Sequence, residues 1–217
     1  MSQSYGKTRW KRFALVMVPS IAATAAIGVS LANSALAASF SVSGQQFKVT
    51  VDDLQGEGFS QFGSVDAEKN GTAHPVAVSA FDHAKLKNLC QSVVTDLSGV
   101  GLGKWTLVLR AGQSDDVAKQ VDAQQLLIDL DQLNADAEFK NINIGQDAAT
   151  LKGSAVDKLQ HDGGKLPSGA QGFAQAAESA HLQHVQQTAW ATSAGTFTLN
   201  GLKLNINKGS GDGVECY

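Results

Sequence analysis

From Phe40 onward the apolar positions of the chain recur mostly with period two, punctuated by Gly, Asn, Asp and Ser. Phe40/Val42, Phe47/Val49/Val51, Val76/Val78/Ala80, Trp105/Leu107/Leu109 and Ala137/Phe139 each set one apolar face against a polar one, the alternation of a half-buried strand. Helical spacing is confined to Ala155–Leu159 and Gln171–Ala177. Gly163, Gly164, Pro167, Gly169 and Gly172 break up that stretch, which predicts a mobile surface loop. The pattern as a whole predicts an all-β, single domain: a β-sandwich or rolled antiparallel sheet with irregular loops.

The sharpest local signal is Phe197-Thr198-Leu199-Asn200-Gly201-Leu202-Lys203-Leu204. Asn-Gly suits a two-residue type I′ loop, which needs positive φ at both central positions. That register pairs Leu199 with Leu202, Thr198 with Lys203 and Phe197 with Leu204, putting four apolar residues on one face. Asn70-Gly71 predicts a second tight turn, a reading preferred to the N-glycosylation acceptor that it spells with Thr72. A looser echo links Ala84–Leu89, Ala137–Ile142 and Ala180–Val185, where the apolar spacing changes from two to three at Asn88, Asn141 and His184. Asn tolerates the left-handed region, so a bulge or bend is expected there. The copies are unevenly spaced, which argues against a strict solenoid period.

Residues 1–37 read as a targeting segment. Lys7, Arg9, Lys11 and Arg12 precede the apolar run Phe13–Leu31, and Ala35-Leu36-Ala37 offers the small-x-small pattern of signal cleavage. The alternative is an uncleaved N-terminal membrane anchor, because an apolar run of that length just suffices to span a bilayer. Either way residues 38–217 are expected as an all-β extracytoplasmic domain, secreted or anchored to the outer face of the cytoplasmic membrane.

Removing this segment changes the charge. The whole chain has 17 Lys+Arg against 20 Asp+Glu, a net −3. Four of the basic residues lie in the leader, so the remainder carries 13 against 20, about −7. No basic field of the kind nucleic-acid binders use is present, and nucleic acid is not an expected partner. A mean hydropathy of −0.09 excludes a multi-pass membrane protein. Cys90 and Cys216 are the two cysteines, and in an oxidising compartment a disulfide between them is the default. Two free thiols, as metal ligands or a nucleophile, are the competing reading; no CxxC motif supports it.

The leader Thr8–Pro19, Ser39–Gly44, His74–Ala80 with Asn88–Val93, and Phe139–Gln146 resemble an actinobacterial family of secreted proteins of unknown function. Its members often carry the automatic name cholesterol esterase. The resemblance covers essentially the whole chain and implies export, paired cysteines and a small multi-pass membrane protein or envelope component as partner. It supplies no catalytic residues to carry over.

The esterase label can be tested on the residues. A serine esterase needs a nucleophile on a strand-to-helix turn, a histidine, an acid and an oxyanion hole. No G-x-S-x-G occurs. Gly58-Phe59-Ser60-Gln61-Phe62 lacks the second glycine, and Ala191-Thr192-Ser193-Ala194-Gly195 leads into a predicted strand rather than a helix. Ser193 with His184 is the best remaining pair of catalytic candidates. His181 and His184 would face opposite sides of a strand unless a bulge intervenes, and Asp129, Asp131, Asn134 and Asp136 lack calcium-loop offsets. Asp129 and Asp131, alternating with aliphatics, predict a solvated strand face. Gly99–Gly103 reads as a hairpin loop before a strand. No metal or cofactor is expected. The preferred reading is a secreted or envelope-associated, non-catalytic β protein with a structural or binding role at the cell surface. The alternatives are a carrier of an apolar, lipid- or sterol-like ligand and a lipid ester hydrolase.

Overall fold

Among the described residues the period-two segments become nine strands: β1 (Phe47–Ala67), β2 (Ala73–Lys87), β3 (Leu89–Leu97), β4 (Gly103–Ala111), β5 (Val121–Lys140), β6 (Asn143–Asp147), β7 (Phe173–Ser193), β8 (Thr196–Thr198) and β9 (Lys203–Lys208), with one α-helix, α1 (Ser154–His161). The computed structural model describes residues 42–169 and 172–217. The leader read at residues 1–37, together with Phe40, therefore lies outside the described residues. The protein is all-β, a single domain built on one large antiparallel sheet.

The sheet rolls up on itself. β1 pairs with β2, β2 with β5, β5 with β7, and β7 returns to β1 through Phe47–Phe62 opposite Ala189–Ala174, every pairing antiparallel. The strand order thus comes back to its start and four strands form a closed ring. A ring of so few strands is narrow, and its interior shows it. Val51, Leu54, Phe59, Phe81, Leu126, Ile128 and Leu182 fill it beside small residues at Ala84, Ala123, Ala177 and Ala180. At Gly56 a Cβ would stand 2.3 Å from the Phe81 ring.

Three of the ring strands run to 20 or 21 residues, well beyond the usual 3–10, and strands of that length must bend to follow the ring. Four non-glycine residues adopt positive φ: Asn88 (54°), Gln125 (54°), Asn141 (53°) and His184 (52°). Three of them are the positions where the apolar spacing shifts from two to three. The buried spacing goes from Leu86 to Leu89, from Leu182 to Val185 and, at Gln125, from Ala123 to Leu126. Carboxylates hold the polar side chains at three of the bends: Asn88 Nδ2 donates to Asp52 (2.9 Å), Asn141 Nδ2 to Glu178 (2.6 Å), and His184 Nδ1 meets Asp136 (2.9 Å).

On the outer face of the ring, Phe62, Val76, Val78, Ala80, Leu127 and Ala174 lie under Ala148, Leu151, Ala155 and Val156. Of the glycine-rich stretch expected as a mobile surface loop, most of the described residues are exposed, and Gly163 and Gly164 close the end of α1 by donating to Gln160 O and Leu159 O. Asp82 accepts from the Ala155 N–H (2.8 Å) and the Ser154 hydroxyl (3.2 Å) at the start of α1. Asp147 accepts from Ala149 N–H and Gly169 N–H, both at 2.9 Å. The α1 helix bears out the Ala155–Leu159 periodicity. Of the helical turn expected at Gln171–Ala177, Gln171 lies outside the described residues, and from Phe173 the segment is β7, paired with both β1 and β6.

β3, β4 and β9 form a wing that extends β1 away from the ring. The Cys90–Cys216 disulfide fixes the C-terminal tail to it, aided by Cys216 N–H to Ser92 Oγ (3.1 Å), the Thr106 hydroxyl to Gly209 O (2.7 Å) and the Lys48–Glu215 ion pair (2.9 Å). The Gly99–Gly103 segment closes the β3–β4 hairpin, and Asn70-Gly71 closes β1–β2 through Gly71 N–H to Glu68 O (2.9 Å).

The Asn200-Gly201 turn is present, but the hairpin is not. Leu202 N–H bonds Leu199 O (3.3 Å), and φ is positive at Gly201 (68°) but not at Asn200, the pattern of a type II turn, which splays its strands. β8 accordingly joins β5 while β9 joins β4. Asn200 anchors the corner by donating to Gln120 O (2.9 Å) and accepting from Gly112 N–H (2.7 Å). Leu199 packs inward, whereas Leu202 and Leu204 remain exposed.

Gly56→Ala is expected to lower stability by about 1–3 kcal/mol through overpacking against Phe81, read as a lowered denaturation midpoint. Cys216→Ser is expected to cost about 2–5 kcal/mol, and a midpoint unchanged on reduction would show that the tail does not depend on the bridge.

Candidate functional site

Where β7 leaves the ring, its last residues diverge from the wing and leave a cleft of about 490 Å³. Trp190–Ala194, Phe197 and Leu199 form one side, Gln91 and Val93 of β3 and Leu109 of β4 the other, with Val42, Ser43, Gln45 and Phe47 completing the lining. The lining is apolar apart from neutral hydroxyl and amide groups at Ser43, Gln45, Gln91, Thr192 and Ser193. It carries no charged side chain. The apolar face continues outward along the wing, because Leu109 pairs with Leu204 and Leu107 with Ile206, both aliphatics of β9 being more than half exposed. A second cavity of about 150 Å³ lies inside the ring, between Leu54, Phe59, Phe81, Phe139 and Leu182. Its volume falls below the roughly 300 Å³ at which ligand pockets begin.

The two catalytic candidates do not meet. Ser193 lines the cleft, but His184 lies nine residues earlier on the continuous strand β7, up to roughly 30 Å along it at about 3.3 Å per residue. His184 is exposed and bonded to Asp136. His181, three residues from it, bonds Asp53 (2.6 Å), so these two histidines serve different carboxylates. Ser60 is buried within β1 and sits on no turn. Among the described residues no group of three His, Cys, Asp or Glu side chains is arranged to hold a metal ion.

Behind the Trp190 wall stands a cluster of acids that the sequence pattern did not reveal. Asp66 on β1 is the cross-strand neighbour of His74 on β2. The His74 ring stacks on Trp190 at 3.7 Å between centroids and 20° between planes, and its Nε2 meets Glu68 Oε1 at 2.7 Å. Asp129 on β5 lies opposite Ala191 of the cleft, and the register shift beside that pair leaves Trp190 as the extra residue on β7, turned toward the cluster as bulges turn side chains. Asp66 Oδ2 is buried without a hydrogen-bond partner.

Such a site resists ionisation. Burial first, then the charge of Asp66, pushes the Asp129 carboxyl up to about 7. Burial likewise raises Asp66, opposed by His74. Asp129 was expected on a solvated face. It is mostly buried, because β5 is paired on both edges there and its outer face lies beneath the α1 layer. The run Leu126-Leu127-Ile128-Asp129-Leu130 held a usable signal, since consecutive aliphatics mark a strand buried on both faces and a carboxylate inside such a run is buried with them.

Residues 43–217 match a family described as a family of unknown function (DUF6230). No curated protein and no solved structure matches the chain.

The raised Asp129 carboxyl fixes the sign of a pH effect. Its folded value near 7 exceeds the ordinary 3.8, so the stability it contributes is complete below about pH 4 and is lost progressively as pH climbs through 7. Carboxylates held low, such as Asp122 by Lys85 and His83, lose their contribution only below the ordinary range. Asp129→Asn is expected to remove the decline between pH 4 and pH 7, leaving the variant more stable than the parent at pH 8 by about 1–3 kcal/mol in denaturant titrations. Parallel pH profiles for the two proteins would refute the assignment.

Proposed function

Because the chain belongs to this family of unknown function, its role has to come from its own geometry, and we propose that it is a non-catalytic binding protein, acting outside the cytoplasm, that carries a neutral apolar ligand in the cleft beside Trp190. The observation that carries this reading is the cleft itself. Its volume of about 490 Å³ lies within the range of small-molecule sites, about 300–1,000 Å³. Apolar walls with a few neutral donors and acceptors suit a lipid- or sterol-like molecule that has an uncharged polar end. A charged headgroup would find no partner in the lining and would have to be desolvated without compensation.

Support for a role outside the cytoplasm comes from the disulfide, since such bonds persist in oxidising compartments. An envelope component or small membrane protein would be the natural donor or acceptor of the ligand. Among the described residues no helix is long and apolar enough to cross a membrane. The ester hydrolase reading has less support, because its candidate pair, Ser193 and His184, stands at separated positions of one strand.

The test is steric. Ala194→Trp places an indole in the cleft at a partly exposed position and is expected to weaken binding of the neutral solvatochromic dye Nile red at least tenfold, with an unchanged far-ultraviolet circular dichroism spectrum. Equal affinity in parent and variant would move the site elsewhere. Hydrolysis of short acyl esters that Ser193→Ala abolishes would overturn the non-catalytic reading.

A further inference from the structure

The acid cluster and the cleft share a wall. Trp190 presents one side to the cleft and stacks its ring on His74, whose strand neighbour is Asp66. Asp129 faces Ala191, the next cleft residue along β7. Val42, which completes the lining, is attached as well, because it bridges to Glu68 and its N–H bonds Ala67 O (3.2 Å), while Glu68 holds His74. Trp190 is thus tied to the cluster through the His74 ring, and Val42 through the main chain of Ala67 and Glu68.

We propose that Asp66, Asp129 and His74 form a proton-operated support for the cleft, which grips its neutral apolar ligand while the carboxyl pair holds protons and releases it when the pair ionises. This rests on reading the cleft as the binding site. Asp66, whose Oδ2 is buried without a partner opposite His74, and Asp129, beside Ala191, are both disfavoured when charged, and the nearest give in the structure is the bulged residue Trp190 and the strand end beyond it. An apolar occupant next to the pair removes water from that side and disfavours its charge further. Reciprocity then requires that ligand binding draw protons onto the protein.

Among the surrounding groups His74 acts on the pair, opposing the rise at Asp66. β1 contributes Asp66 and, past its end, Glu68, which is engaged with His74; β2 contributes His74. β5 adds Asp129 and the exposed Asp131, and the β7 segment Thr188–Ser193 has no ionisable group. On α1, Lys158 is turned to Asp162, Asp162 also meets His161, and Asp157 stands in the first turn. The segment Val42–Gln45 is neutral. Burial acting on both acids, and the mutual effect of Asp66 on Asp129, agree with this arrangement.

Two measurements on the full chain separate this proposal from the reading it rests on. The first needs no ligand: the part of the tryptophan emission that Trp190→Phe removes is followed from pH 4.5 to pH 8.5. It is expected to titrate with a midpoint near 7 and to lose that transition in Asp129→Asn. The second is Nile red affinity at pH 5.5 and pH 8.5, expected to fall at least about fivefold at the higher pH in the parent and less than twofold in Asp129→Asn, with His74→Gln weakening binding at both. A Trp190 signal that is flat, or that titrates identically in Asp129→Asn, overturns the proposal. Absence of dye binding at every pH, with the Trp190 transition intact, sinks the ligand reading and leaves the coupling of acids to wall standing. Dye affinity that stays constant with pH while Trp190 titrates overturns the control of binding.

Discussion

Closure of four long strands into a narrow ring is the constraint on which the rest of this molecule depends. Antiparallel pairing of β1 with both β2 and β7 leaves the ring no free edge along most of its length, and it also leaves little room inside. Small residues at Gly56 and Ala84 are the direct answer to that shortage, since the large rings of Phe59 and Phe81 (5.4 Å between centroids) already occupy the axis. Left-handed residues answer the same constraint: Gln125 and His184 re-aim the buried face within β5 and β7, while Asn88 joins β2 to β3 and Asn141 leads from β5 toward β6.

Everything outside the ring is a way of covering what closure exposes. The outward aliphatics of β2 and β5 receive the α1 layer, whose start is held by a single carboxylate, Asp82. One face of the wing receives the disulfide-fixed tail. Its other face, with Val93 and Leu109, is only half-covered, and where it approaches the departing end of β7 the cleft opens. The cleft and the acid cluster are therefore products of one event, the register shift at Trp190 where β7 stops matching β5.

Much of the fold was readable because it rests on local rules. Period two gave the strands, and the shift of that period at Asn88, Asn141 and His184 marked the bends before any coordinates, since Asn reaches positive φ at low cost. Gln125 was missed because nothing in its residue type announces the same conformation. The Asn200-Gly201 hairpin failed for a different reason: local turn chemistry allows more than one type, and the pull of β5 on one strand and β4 on the other decided which formed. The disulfide followed from counting. The acid cluster could not be reached that way, since Asp66, His74, Asp129 and Trp190 come from four strands and meet only through the ring's register.

The pairing of β1 with β7 also sets an order of events. Phe47 finds its partner at Ala189, so the ring cannot close until almost the whole chain is available, and loop-closure entropy must be met before that long-range pairing contributes. A polypeptide emerging from its N-terminus would carry β1 and β2 as a hairpin with one edge open through the synthesis of all the intervening strands. Such an edge is an aggregation hazard, and the alternation of Lys48, Thr50, Asp53, Gln55 and Glu57 among its apolar residues keeps it polar while it waits. A fold whose first strand must wait for its seventh is one that depends on being kept soluble until the seventh is made.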